Sequence, residues 1–103
     1  MSFSYDFHPE AEEELFKAID YLDEQREGYG ALLAESAANL LDQITENPKR
    51  FPIASTNSQR RRAILPKPFH KTYSIYFDFD GERILIASFF NNRRDPGIWQ
   101  ERN

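Results

Sequence analysis

Residues 71–90 read KTYSIYFDFDGERILIASFF, and this stretch decides the fold. Large apolar side chains occupy every second position of its first half, the period of a half-buried strand: Tyr73, Ile75, Phe77 and Phe79. Asp80-Gly81 then predicts a tight hairpin turn, because glycine tolerates a positive φ. The run 84–90 is apolar on both faces, as expected for a central strand. The stretch therefore predicts a β-hairpin at the centre of a sheet.

The segment before this hairpin predicts one more strand and a loop. Arg60 to Leu65 is the strand candidate, and Pro66 and Pro68 stop it. Residues 49–59 contain a proline and the polar run 55–59, so we interpret them as a loop. Three consecutive strands with short connections predict a meander.

The N-terminal half predicts a strand followed by two helices. Aromatic and polar residues alternate over residues 3–8, which is typical of a strand, and Pro9 suits the first position of a helix. Apolar residues at spacings of three and four predict helices over about 9–27 and 31–46, separated by Gly28 and Gly30. Two helices joined by a short glycine-containing turn predict a helical hairpin.

The order β-α-α-β-β-β predicts an α+β fold in which a two-helix hairpin packs on one face of a small antiparallel sheet. The 103 residues are expected to form a single domain, residues 1–103. The predicted core joins side chains of both layers: Leu15, Ile19, Leu22, Leu33, Leu40, Ile44, Tyr73, Ile75, Phe77, Ile84 and Ile86. The opposite face is expected to be open and to carry arginines, with Tyr76 exposed.

Composition excludes several classes of protein. The chain has no cysteine, and its two histidines, His8 and His70, are far apart, so neither a thiolate metal site nor a dedicated zinc site is expected. We expect no cofactor. No run approaches eighteen apolar residues and the first residues lack a secretory signal, so a cytoplasmic location without membrane contact is expected.

Charge is divided unevenly along the chain. Residues 1–48 carry twelve acidic and two basic side chains, a net charge of −10, whereas residues 49–103 carry five and eleven, a net charge of +6. This polarity has two interpretations. It reflects solvated helix and strand exteriors, or it marks two surfaces with different partners.

Four segments, in order, resemble toxins of the RelE/ParE superfamily from bacterial type II toxin–antitoxin modules. They are the helix start PEAEEEL (9–15), the helix end ENPKRFP (46–52), the strand YSIYF (73–77) and the closing FNNRRDPGIW (90–99). The similarity spans nearly the whole chain and is stronger for the ParE-like branch. It implies the same fold, a cognate antitoxin that neutralises the toxin, and operator DNA contacted only through that antitoxin.

The resemblance leaves two toxic functions open, and a third possibility is a degenerate member that only binds its antitoxin. ParE-like members arrest growth by inhibiting DNA gyrase and serve plasmid stabilization, whereas RelE-like members cut mRNA on the ribosome as metal-independent endoribonucleases. The position where such nucleases carry a catalytic Tyr holds Trp99, and an indole cannot relay a proton. This departure favours the gyrase inhibitor, a toxin that is not an enzyme, over the ribosome-dependent nuclease.

Candidate site residues follow from the same comparison. The target-binding prediction is a set of arginines: Arg60, Arg61, Arg62, Arg93 and Arg94. The weak catalytic candidates are His70, Arg62 and Arg93; arginine stays protonated, and a lone histidine is more simply a loop residue. The run 60–62 is equally consistent with an edge strand protected by charge. Asp95 and Trp99 are expected to be structural.

Overall fold

The computed structural model describes residues 2–54 and 59–102. Its elements are β1 (Ser4–Phe7), α1 (Pro9–Gln25), α2 (Tyr29–Glu46), a short 3-10 helix (Pro48–Arg50), β2 (Arg61–Ile64), β3 (Tyr73–Phe79), β4 (Arg83–Asn91) and α3 (Gly97–Glu101). The predicted order β-α-α-β-β-β is confirmed, and the C-terminal helix α3 is an addition to it. Residues 55–58 of the predicted polar loop lie outside the described part of the chain.

The four strands form one mixed sheet in the order β1-β4-β3-β2. Strands β2, β3 and β4 make the predicted antiparallel meander, in which Arg61 pairs with Phe77 and Phe77 with Ile86. Strand β1 differs from the prediction because it lies parallel to β4, with Phe7 beside Ile86. The helices and the meander intervene between the two strands, and such a long connection permits parallel pairing.

Two local features define the helical hairpin: a cap at the start of α1 and a close contact between α1 and the start of α2. Nδ1 of His8 accepts a hydrogen bond of 3.1 Å from the Glu10 amide, so the residue before Pro9 caps α1. Near the start of α2, a Cβ on Gly30 would lie 2.4 Å from the Ile19 carbonyl oxygen, so only glycine fits there. The Gly30 amide also donates a 2.7 Å hydrogen bond to Asp23, which joins the two helices.

The helices pack on one face of the sheet and bury the predicted core. Leu33, Leu40 and Ile44 of α2 are buried against β3 and β4, while Leu15 and Ile19 of α1 pack at the margin of the same cluster. This arrangement confirms the predicted pairing of helix stripe and strand face. Among the described residues, no helix is long and apolar enough to cross a membrane.

Leu40→Ala is expected to lower the free energy of unfolding by about 2–5 kcal/mol, because the truncated side chain leaves a cavity in this core. Leu40 is buried, whereas Leu32 on the same helix is exposed. Leu32→Ala is therefore the matched control, with an expected change of about 0.5 kcal/mol or less. Urea denaturation of both variants checks the prediction, and equal changes would contradict the helix orientation.

The other face of the sheet is closed, which corrects the expectation that it is open. The Trp99 ring of α3 stacks on the Tyr76 ring with centroids 3.9 Å apart and planes 9° apart, and Phe90 packs against Tyr76 edge-on. Tyr76 is only 4% exposed, so the prediction that it faces solvent is wrong. The reason is α3, which folds back over the sheet and forms a second small apolar cluster with Ile98.

Candidate target-binding surface

A groove of about 520 Å³ runs between α1 and the C-terminal end of β4. Tyr73 and Phe89 lie within it beside Leu22, and Arg93 and Arg94 lie at its margin. Three acidic residues of α1 form the opposite wall: Glu10, Glu13 and Glu14. The groove therefore joins an acidic helix face to two cationic side chains across an apolar strip.

A hydrogen-bonded turn presents Arg93 and Arg94. Oδ1 of Asn91 accepts a 3.0 Å hydrogen bond from the Arg93 amide, and the Asn91 carbonyl accepts one of 3.0 Å from the Arg94 amide. Asp95 accepts a 2.9 Å hydrogen bond from the Gly97 amide at the start of α3. Both arginines are exposed, and neither guanidinium has a hydrogen bond or ion pair within residues 2–54 and 59–102.

Arg60 lies in a different environment from these two arginines. Its Nε and Nη2 donate hydrogen bonds of 2.9 and 2.8 Å to the two carboxylate oxygens of Asp78, and its Nη1 donates to the Trp99 carbonyl. The Arg60 side chain is 7% exposed. Arg60 therefore does not belong to an exposed surface, which corrects its assignment to the target-binding set. Through these hydrogen bonds the Arg60 side chain links α3 to β3.

Arg61 and Arg62 are partly buried and have partners of their own. Nη1 of Arg61 donates to the Phe51 carbonyl at 2.6 Å. The Arg62 guanidinium lies 5.9 Å from the centroid of the Tyr76 ring, and its Nε is 3.4 Å from Oγ of Ser74. Both side chains stabilise the β2 side of the sheet. Of the five predicted arginines, only Arg93 and Arg94 are exposed and have guanidinium groups without a partner among the residues that the structure describes.

The weak catalytic candidates are not assembled into a site. His70 lies in the turn before β3, and its buried Nδ1 has no hydrogen-bond partner in the part of the chain that the structure describes. No hydrogen bond within the same residues links His70, Arg62 and Arg93, and no carboxylate orients the imidazole.

Sequence reasoning missed the ion pair at the rim of the groove. Nη1 of Arg102 donates to Oε1 of Glu14 at 2.8 Å, and Nε of Arg102 lies 3.1 Å from Oε2 of Glu10. The Arg102 side chain is 10% exposed and the Glu14 side chain 15%. No sequence signal identifies this pair, because the two residues are 88 positions apart and each has an unremarkable local context.

Burial changes the ionisation of two tyrosines. Burial raises the pKa of the Tyr76 phenol above its ordinary value of 10.0, and the nearby Arg62 guanidinium opposes this shift only in part. Burial also raises the pKa of Tyr73, with a smaller contribution from Tyr21 across the groove. Both phenols are therefore neutral at physiological pH, and Tyr76 serves as an apolar platform for Trp99.

Alkaline titration is expected to reveal the raised pKa of Tyr76. Because the folded-state pKa of Tyr76 is raised, its contribution to stability is complete below pH 10 and is lost as the pH rises through the folded pKa. Tyr76→Phe should remove from the absorbance titration of phenolate a step that lies above the ordinary tyrosine pKa of 10.0. Removal of a step at or below this ordinary value by Tyr76→Phe would contradict the burial of the ring.

A search for metal-binding groups and two comparisons with known proteins gave no match. Within residues 2–54 and 59–102 no group of three histidine or acidic side chains could hold a metal ion. A scan against protein-family models matches no family, and a search of curated proteins finds no similar sequence. The resemblance to RelE/ParE toxins therefore depends on the four sequence segments alone.

Proposed function

We propose that this chain is the toxin of a type II toxin–antitoxin system, and that it arrests growth as a ParE-like inhibitor of DNA gyrase. In this proposal it acts in the cytoplasm, serves plasmid stabilization and is neutralised by a cognate antitoxin through which it contacts operator DNA. The observed order of strands and helices supports the proposal, since it is the order that the resemblance implies.

The observation that carries the proposal is the contrast between the two sides of the molecule. Arg93 and Arg94 are exposed at a structured turn and have no side-chain partner within the described residues, which suits them to charge-assisted contacts with a protein or with DNA phosphates. The sheet face that carries Arg62 is instead closed by Trp99 on Tyr76. The exposed turn with Arg93 and Arg94 therefore favours binding of a target over catalysis of a reaction.

Purified gyrase tests the proposal directly. We expect the protein to inhibit ATP-dependent supercoiling of a relaxed plasmid, with no cleavage of mRNA during expression in growing cells. Primer extension on RNA from the same cells is the second measurement. Undiminished supercoiling together with codon-specific cuts in ribosome-bound mRNA would overturn the proposal and support the endoribonuclease instead.

The antitoxin is the second partner in this proposal. We expect co-purification of the chain with a small protein encoded beside it, and an interface that buries well over about 1,000 Å² in total, as stable specific interfaces do. Size-exclusion chromatography of the co-expressed pair measures this. Two separate peaks at micromolar concentration would contradict the expectation.

A further inference from the structure

The groove between α1 and the end of β4 has the dimensions of a small-molecule site. Its volume of about 520 Å³ falls within the range of about 300–1,000 Å³ that is usual for such sites. Apolar and cationic side chains line it together. A groove of this composition can hold one molecule both by a ring and by a charged group.

The charges of the groove determine which charged group it accepts. Each acidic side chain of α1 that lines the groove is bonded to a cation: Glu13 to Lys17 at 2.7 Å, and Glu10 and Glu14 to Arg102 at 3.1 and 2.8 Å. Arg93 and Arg94 line the same groove and have no counter-ion among the residues that the structure describes. Two guanidinium groups match a phosphate monoester, because it carries a charge of about −1.5 to −2 near pH 7 and accepts forked hydrogen bonds.

An exposed aromatic ring lies in the same groove. Tyr21 of α1 is 56% exposed, and it lines the groove beside Leu22. Tyr73 and Phe89 also line it, but both are buried and stack on each other with centroids 5.2 Å apart, so they present little surface. The ring of Tyr21 is therefore the surface on which a flat ligand can stack.

We propose that the groove binds a small aromatic phosphate monoester, with its phosphate on Arg93 and Arg94 and its ring on Tyr21. Nucleoside 5′-phosphates and simple aryl phosphates share this chemistry. Such a ligand would cover the two arginines assigned to gyrase contact and would weaken inhibition of the enzyme. That consequence rests on the proposed function, whereas binding of the ligand does not.

Four ligands test the proposal on the wild-type protein by titration in two-dimensional 15N NMR. The probe is 1-naphthyl phosphate; 1-naphthol lacks the phosphate, inorganic phosphate lacks the ring, and AMP carries a nucleoside in place of the naphthyl group. We expect the probe to bind with a dissociation constant of about 1 mM, as its size allows. The amide signals of Tyr21, Arg93 and Arg94 should shift most.

The three comparison ligands separate the contributions of ring and phosphate. 1-Naphthol and inorganic phosphate should each bind at least about fivefold more weakly than the probe, because each lacks one of the two contacts. AMP distinguishes the two sources of the ligand. Tighter binding of AMP than of the probe would assign the groove to nucleotides, weaker binding would assign it to simple aryl phosphates, and either order supports the proposal.

Protein variants assign the two contacts to their residues. Arg93→Ala with Arg94→Ala should weaken the probe at least about fivefold, and Tyr21→Ala should weaken it by about the same factor. Arg26→Ala with Arg50→Ala removes the same formal charge outside the groove and should change the dissociation constant by about twofold or less. All five side chains are exposed, so these variants are expected to fold.

Three results would overturn the proposal. The first is equal binding of the probe and inorganic phosphate, which would indicate an adventitious ion only. The second is a set of largest shifts outside the groove. The third is equal weakening of the probe in the two double arginine variants. These measurements contain no gyrase, so a failed supercoiling assay leaves them interpretable.

Discussion

Replacing Arg93 and Arg94 together by alanine is expected to abolish growth arrest and inhibition of supercoiling. The two guanidinium groups are exposed and form no hydrogen bond or ion pair within the described residues, so their removal deletes contacts to a partner and none within the fold. The free energy of unfolding should consequently stay within about 0.5 kcal/mol of the wild-type value. Growth after induction, a supercoiling assay and denaturant unfolding measure the three quantities.

A charge-matched control distinguishes this surface from net charge. Arg26 and Arg50 are also exposed, lie outside the groove, and place their guanidinium groups over the rings of Tyr29 and Phe51. Arg26→Ala with Arg50→Ala removes the same formal charge and should leave growth arrest intact. Equal loss of toxicity in both double variants would contradict the assignment of Arg93 and Arg94 to target contact.

Trp99→Ala is expected to destabilise the protein by about 3–5 kcal/mol, the range for removing a buried aromatic side chain. Trp99 is 5% exposed and covers Tyr76, so its loss exposes that ring and leaves α3 without its main contact with the sheet. Arg60 donates to the Trp99 carbonyl, so detachment of α3 would also remove that hydrogen bond. Thermal and urea unfolding measure the change.

Two further variants identify the cause of this loss of stability. Trp99→Phe keeps an aromatic ring on Tyr76 and should recover most of the stability. Ile53→Ala removes an exposed apolar side chain and should change the free energy of unfolding by about 0.5 kcal/mol or less. If Trp99→Ala were as mild as Ile53→Ala, the closed second face described here would be wrong.

Local sequence patterns predicted most of the fold. Strand β3 was visible from the alternation that begins at Tyr73, and the β3–β4 turn from Asp80-Gly81, where Asp80 accepts hydrogen bonds from two following amides and Gly81 has φ 100°. The parallel placement of β1 was not predicted. The position of β1 depends on the path of the chain through the helices and the later strands. The residues of β1 themselves do not indicate which strand they will pair with.

Local patterns predicted the candidate site less well. The segment Arg93-Arg94-Asp95 was identified from its charge and turn chemistry, because both properties are local. The same charge criterion selected Arg60, whose guanidinium is buried against Asp78, a residue 18 positions away. A run of three arginines at the start of a predicted strand does not reveal which side chain meets a carboxylate on the neighbouring strand.

The amino-acid sequence by itself determined the α+β class, the two helices, the hairpin and the residues of the core, because periodicity and turn chemistry are properties of neighbouring residues. Only the tertiary structure decided which arginines are exposed, which ring Trp99 covers, and that Glu14 and Arg102 meet beside the backbone of β4 at Phe89 and Ala87. These features arise between residues far apart in the chain. Which of these distant residues meet is determined by how the helices and the C-terminal segment pack on the sheet, and no local sequence pattern indicates this packing.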